Sequence, residues 1–225
     1  MVSKENIIKM KDKYWLMGPI YDAVSFLFAG NAILKCKCSM LSPEYLKPGD
    51  KVLFAGIGHG KEAIYAAEQG AEVTVVDLSE AMLDKFKEGL EKSNKNLNIK
   101  VVHKDIMKVD DFGEYDMVAA NFFLNVFNEE FMSEVLKHLI KLGKDDAVIV
   151  VSDFAMPEGN ALARFAKRAY WYTAIGIFWA TTGAALHPVY DYRRHMSDQG
   201  LDVVDKKHTP LLGLNAYTSF LGKKS

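Results

Sequence analysis

Cysteine is scarce in this 225-residue chain: Cys36 and Cys38 are its whole complement, and they stand one residue apart. A pair that close cannot staple distant parts of a fold, and C-x-C alone supplies too few ligands for a zinc site. Reduced, structural thiols are the expectation, with no metal. Charge of one sign is not in excess either: 28 Lys and Arg face 29 Asp and Glu, for a net charge of −1 and a pI near 6.6. That balance gives no electrostatic reason to expect nucleic acid. The opening stretch MVSKENIIKMKDKYW is charged and lacks an apolar h-region, so no secretory signal is read and a cytoplasmic location is expected. Repeats, low-complexity tracts and linkers are also missing. With 49% apolar and 25% charged residues, the chain reads as one soluble domain, 1–225, with a substantial core.

What is present centres on Lys51 to Asp77. Val52-Leu53-Phe54-Ala55 is a short apolar run suited to a buried parallel strand. Gly56, Gly58 and Gly60 follow at alternate positions, then a helix over 62–69 that Gly70 can stop. A second apolar run, 72–76, ends on Asp77. Strand, glycine loop, helix, strand and acid form the first half of a nucleotide-binding α/β domain. Such a loop lets a ligand lie against bare backbone, and the acid about 20 residues on can accept hydrogen bonds from ribose hydroxyls. The spacing then discriminates among ligands. The loop is G-x-G-x-G with Lys61 where a dinucleotide fold places its third glycine, and Gly60-Lys61 is followed by Glu62, so there is no phosphate loop.

VLFAGIGHG followed by VTVVDLSEAMLDKF closely resembles the class I S-adenosylmethionine (SAM)-dependent methyltransferases. The resemblance implies a Rossmann-like three-layer α/β sandwich with a mostly parallel seven-stranded sheet and an antiparallel last strand. It implies SAM as cofactor and S-adenosylhomocysteine (SAH) as product. It assigns Ala55, Gly56, Ile57, Gly58 and Gly60 to the cofactor loop, Asp77 to the ribose, and Leu78 and Met82 to the flanks of the adenine. One departure stands out: Phe54 occupies the place, two residues before the first glycine, where the family usually has an acid that helps hold the methionine end.

Farther along, Ser79 is placed to cap a helix whose Met82, Phe86 and Leu90 share a face. A third strand spans 99–103, and the Asp105 and Ile106 beyond it match the positions that meet the adenine amine and ring in the resembling family. A fourth strand, 115–120, runs into Asn121-Phe122-Phe123-Leu124-Asn125. Strand ends of open α/β sheets form the ligand crevice, which makes Asn121 a cofactor-pocket candidate and Phe122 an acceptor-side one; Asn125 reads equally as a helix cap. The helix 129–142 has Phe131, Val135, Leu136 and Leu139 inward. A turn at 143–146 then leads to a fifth strand over 147–151, and 202–205 and 216–221 read as the closing antiparallel pair.

Two segments stand outside this frame. Residues 1–46 are an aromatic helical stretch, read as core or as a lid over the cofactor, with Tyr14 and Tyr21 as lid contacts. Residues 157–195 form an insert before the closing pair, helical over 161–172 with a basic face and aromatic through Trp171. The insert reads as a cap lining an acceptor pocket, or as a surface lying on a membrane or a dimer partner. At its end His187 and Tyr190 are weak catalytic candidates, as general base and as acceptor-orienting group, and also candidate substrate contacts. The order of motifs is most similar to the ubiquinone/menaquinone-biosynthesis methyltransferases. The expected activity is methyl transfer to a small hydrophobic or amphipathic acceptor, like a quinone precursor or a lipid, by a monomer or homodimer with peripheral membrane contact in view. The alternatives are a SAM-binding protein without methyl transfer and an enzyme using SAM for other group-transfer chemistry.

Overall fold

The computed structural model describes residues 31–93, 95–182 and 187–224, with side chains for all of these but 177–182. In chain order the elements are α1 (Asn31–Cys38), β1 (Lys51–Ala55), α2 (Lys61–Glu68), β2 (Glu72–Asp77), α3 (Glu80–Lys92), β3 (Ile99–His103), β4 (Tyr115–Asn121), α4 (Glu129–Leu142), β5 (Gly143–Phe154), α5 (Ala161–Thr182), α6 (Tyr192–Asp198), β6 (Leu201–Leu211) and β7 (Leu214–Lys224). The seven strands form one sheet in the order β3-β2-β1-β4-β5-β7-β6. β1 to β5 pair in parallel, and β7 runs antiparallel to both β5 and β6. β6 and β7 are joined by Leu212 (φ 50°) and Gly213 (φ 79°). Two consecutive positive φ values give the turn that matches the twist of a tight hairpin, which is why this pair alone can be antiparallel neighbours in sequence.

Alternation along the strands divides the core between two faces. Leu53, Ala55, Val118, Ala120, Ile149 and Val151 pack with Val135, Leu136 and Leu139 of α4 and with Tyr192 and Met196 of α6. Val52, Phe54, Met117, Ala119 and Val150 pack with Ala63 and Ala66 of α2, Leu83 and Phe86 of α3, and Met40 and Leu41. Phe54 is therefore a core residue. The segment after α1 is part of this core too; residues 1–30, with Tyr14 and Tyr21, lie outside the described residues.

Three local readings need correction. The supposed turn at 143–146 is the start of β5: Tyr115 pairs with Gly143, the register then shifts, and Met117 pairs with Val148. Lys144 in that bulge reaches Asp116 at 2.6 Å. The cap of α4 is Asn128, whose side chain accepts from the Phe131 N–H at 2.9 Å, and Asn125 lies in the short 3-10 turn Leu124–Val126 before it. The closing strands are 11 residues each, Leu201–Leu211 and Leu214–Lys224, longer at both ends than the runs 202–205 and 216–221 that reveal them, and α6 precedes them.

α5 splits the insert between two environments. Trp171 and Ile175 are buried, while Leu162, Phe165 and Tyr172 are exposed. Among the described residues, no helix is long and apolar enough to cross a membrane.

Candidate functional site

The sheet order fixes where a ligand can enter. The chain builds outward from β1 to β3 on one side, then returns to lay β4 and β5 on the other. Between β1 and β4 the connections leave in opposite directions, and the crevice opens at the carboxyl ends of those two strands. Ala55 pairs with Ala120 there, so Gly56 and Asn121 are the next residues on either side of it.

The loop after β1 is built around close approaches. At Gly60 (φ 64°) a Cβ would lie 2.2 Å from Cδ2 of Phe86 and 2.9 Å from Cγ1 of Ile57. At Gly56 (φ 71°) it would lie 2.4 Å from Cδ2 of Phe123. Only glycine adopts these backbone angles without strain and leaves room for the two rings. Asp77 ties the loop to the tip of β2: one carboxylate oxygen accepts from the Ile57 N–H at 2.9 Å, the other from the Ser79 N–H at 2.8 Å. Burial pushes the Asp77 carboxyl above the usual carboxylate range, against the pull of the Ser79, Ile57 and Leu78 amides. Ser79 then caps α3 through the Met82 N–H at 3.4 Å. His103, at the end of β3, holds the Leu78 carbonyl at 3.0 Å. Asp105 accepts from the Met107 N–H at 3.0 Å, which fixes the turn that buries Ile106. All the loop, ribose and adenine candidates thus lie at the carboxyl ends of β1, β2 and β3.

Asn121 is 5% exposed, yet among the described residues neither its Oδ1 nor its Nδ2 has a hydrogen-bond partner. Buried amides are ordinarily paired, and this one stands at the crevice, which makes Asn121 a candidate ligand contact. Ser152 and Ser219 lie beside it in register on β5 and β7. Ser219 donates to the Cys36 carbonyl at 2.8 Å and meets Ser152 at 2.9 Å. This polar row docks α1 on the sheet. Burial pushes the Cys36 thiol up to about 11, so it stays protonated and unreactive, and both cysteines are free. Among the described residues no cluster of His, Cys, Asp and Glu could hold a metal ion.

Aromatic rings cover the other side of the strand ends. Phe122, forced to φ 53°, meets Phe154 edge-on at 5.7 Å and Tyr217 at 5.5 Å. Phe154 in turn meets Trp171 at 4.8 Å, and the Tyr170 and Tyr217 hydroxyls share a hydrogen bond at 2.5 Å. Trp171 Nε1 donates to the His187 carbonyl at 2.8 Å, and the His187 ring stacks on Tyr190 at 4.1 Å. The structure brings Phe122, Trp171, His187 and Tyr190 together, but not in the catalytic roles expected of the last two. His187 Nε2 faces the Asn125 carbonyl at 2.8 Å and Nδ1 the Pro188 carbonyl at 2.7 Å. Those carbonyls take the positions a base would need open. Tyr190 is buried and donates to the Phe127 carbonyl at 2.8 Å. Both residues lock the insert to the segment after β4.

Sequence reasoning missed two charged features. Lys37 and Glu62 form a buried ion pair at 2.8 Å. Asp153, at the end of β5 and 2% exposed, accepts from Tyr192 Oη at 2.7 Å, Asn125 Nδ2 at 2.8 Å and the Phe154 N–H at 2.8 Å. Burial outweighs those three donors and raises its carboxyl from 3.8 to about 6. Because the folded value lies above the unfolded one, ionised Asp153 costs stability, on the order of 3 kcal/mol, once the pH exceeds both values. The cost is full above about pH 6 and is relieved as pH falls toward 4. Asp153→Asn keeps the Asn125 and Phe154 bonds and lets the Tyr192 hydroxyl turn to accept. Urea titrations between pH 4 and pH 7 are expected to show this acid-side gain in the parent and not in Asp153→Asn. An unchanged pH slope in the variant would remove Asp153 as its source.

Residues 52–146 match the model of a family described as a methyltransferase domain. Among curated proteins, the ribosomal protein L11 methyltransferase of Acetivibrio thermocellus is 38% identical over 90 residues, 40% of this chain and 28% of that protein. The same-named protein of Thermotoga neapolitana is 26% identical over 129 residues, 57% of this chain and 46% of that one. The chain thus spans less than half the length of the curated relatives it matches. The fold extends further. The structure of Burkholderia thailandensis 1,6-didemethyltoxoflavin-N1-methyltransferase, with bound 1,6-didemethyltoxoflavin and SAH, superimposes with a TM-score of 0.72 at 17% identity, covering 98% of this chain and 89% of that one. Magnesium protoporphyrin IX methyltransferase from Synechocystis PCC 6803, with bound SAH, gives 0.64 at 24% identity, covering 86% and 82%. The strand order and the switch-point loop agree with the family match: residues 52–146 are similar to a methyltransferase domain, and they lie within a Rossmann-like sheet that runs to Lys224.

Proposed function

We propose that this protein binds SAM in the crevice between β1 and β4 and transfers its methyl group to a small hydrophobic or amphipathic acceptor. The observation that carries the reading is the buried, unpaired amide of Asn121 across that crevice from the glycine loop. Those residues fit the cofactor. Asp77, its carboxylate fixed by two backbone N–H groups, would accept from the ribose hydroxyls. Leu78, Met82 and Ile106 offer apolar surface to a base, and Asp105 an acceptor at its edge.

Bound SAM supplies a methyl group made electrophilic by the positive sulfur that carries it. Displacement at that carbon is in-line, so the protein's task is alignment in a dry site. Asn121 would orient the groups that meet there, and Phe122, Phe154 and Trp171 would exclude water. His187 and Tyr190 are spent on carbonyls, which suits an acceptor atom that is nucleophilic without a base from the protein. The same rings support a flat, apolar acceptor of the quinone-precursor or lipid-like class, and make the insert 157–195 its cap. Related folds named above act on 1,6-didemethyltoxoflavin and magnesium protoporphyrin IX.

The test is product mass after incubation with SAM bearing a labelled methyl group and a panel of lipophilic phenols, quinone precursors and planar heterocycles. The expected result is a labelled product heavier by one methyl group. SAM bound but never consumed, or a transferred group of another mass, would replace this reading with one of its two alternatives.

A further inference from the structure

α5 is apolar on two sides, and the fold uses one of them. Trp171 and Ile175 are buried, and Trp171 meets Phe154 on the acceptor side of the crevice. Leu162, Phe165, Ala169 and Tyr172 recur at helical spacing, which lines them up as a second stripe. Leu162 is 77%, Phe165 70% and Tyr172 53% exposed. A helix that is apolar on both sides is ordinarily enclosed on both, and a row of exposed Leu and Phe marks a contact face. Arg168 borders the stripe, three residues after Phe165 and four before Tyr172, and Arg164 stands one turn before Arg168; both are exposed. α5 contains no Asp or Glu, and the acid that precedes it, Glu158, faces Lys206 of β6 at 4.0 Å. The closing hairpin adds another apolar side chain at this end of the sheet. Tyr217 pairs with Phe154 at the end of β5, so the hairpin runs on past that edge, and Leu212 at its tip is 95% exposed.

The charges decide between occupants. A two-fold contact with a second copy would bring the arginines bordering one stripe against those of the other, with no acid on the helix to receive them. An anionic lipid surface takes both arginines at its headgroups while Leu162, Phe165 and Tyr172 enter the acyl boundary. We propose that the outer face of α5 docks this protein on an anionic membrane surface. The inner face of the helix then stays on the acceptor side of the crevice, and the outer face lies in the layer where an amphipathic acceptor collects. The docking itself needs no cofactor and stands apart from the reading of the crevice as a SAM site.

The experiment is flotation of the whole chain with vesicles of phosphatidylcholine alone and of phosphatidylcholine mixed with phosphatidylglycerol, without SAM or acceptor. Binding to the mixed vesicles is expected to exceed binding to phosphatidylcholine by about 10-fold or more, and to fall as salt screens the arginines. Leu162→Gln/Phe165→Gln and Arg164→Gln/Arg168→Gln are each expected to weaken it by about 10- to 30-fold. All four positions are exposed, so the variants should melt with the parent, and the lipid and salt arms test the parent without any substitution. A parent that floats with neither vesicle, that binds both equally, or whose binding survives in both variants would overturn the proposal. Sedimentation equilibrium identifies the other occupant: a parent dimer that Leu162→Gln/Phe165→Gln converts to monomer, with no vesicle binding, would overturn the proposal and assign the face to a second copy.

Discussion

Replacing Gly60 by alanine is expected to destabilise the protein by about 2–4 kcal/mol, part from the left-handed backbone angle and part from overpacking. The new methyl would fall 2.2 Å from the Phe86 ring and 2.9 Å from Ile57. Phe86 is fully buried between α3 and the sheet, so it cannot swing aside without opening the core. Gly58→Ala is the internal control. Its φ of 52° carries a similar backbone penalty, but the nearest neighbour is the flexible end of Lys37 at 3.7 Å, and a loss of about 1 kcal/mol is expected. Thermal unfolding of the two variants side by side isolates packing from backbone strain, at roughly 2–4 °C per kcal/mol for a chain of this size. Equal losses would show that the Phe86 contact does not shape the loop.

Asp77→Ala should produce the largest change in ligand affinity. A carboxylate that accepts from ribose hydroxyls makes charge-assisted bonds, and deleting it is expected to weaken SAM and SAH binding by about 100-fold or more. The substitution also releases the Ile57 and Ser79 amides, so the loop loses its tether as well as its ligand contact. Asp77→Asn separates the two effects. One amide oxygen can keep the Ile57 or Ser79 bond, and an intermediate affinity is expected from titration. An Asp77→Ala protein with parental affinity would show that the β2 acid does not touch the ligand.

The parallel half of the sheet was legible because buried parallel strands are near-continuous apolar runs. β1 and β2 follow their sequence signals closely for that reason, α4 follows its amphipathic spacing with Met132, Val135, Leu136 and Leu139 buried, and Ser79 caps α3 as its position foretold. The antiparallel end was legible only in part. β6 is an edge strand whose outward positions are Asp202, Val204, Lys206 and His208, which hides a strand among charges. α6 is short and buries only Tyr192 and Met196, too few for a periodic signal. The bulged start of β5 carries Lys144, Asp145 and Asp146, which read as a turn.

The glycine loop and its tie to β2 were legible because the backbone there demands glycines and Asp77 holds the Ile57 and Ser79 amides. The charged partners were not. Lys37 stands in a Lys-Cys-Lys-Cys run that looks like a solvated helix face, and nothing local ties it to Glu62 twenty-five residues on. Asp153 reads as a residue leaving a strand until Tyr192 and Asn125 close on it. His187 and Tyr190 show the opposite error. Their chemistry suggested catalysis, but the carbonyls of Asn125, Pro188 and Phe127 claim their polar atoms, and only the folded chain brings those carbonyls near.

Isothermal titration of the purified chain with SAM and with SAH shows whether the crevice between β1 and β4 holds this ligand. One site per chain with micromolar affinity for both ligands, about −8 kcal/mol, is expected. Heat signals no different from buffer for both ligands would overturn the cofactor reading.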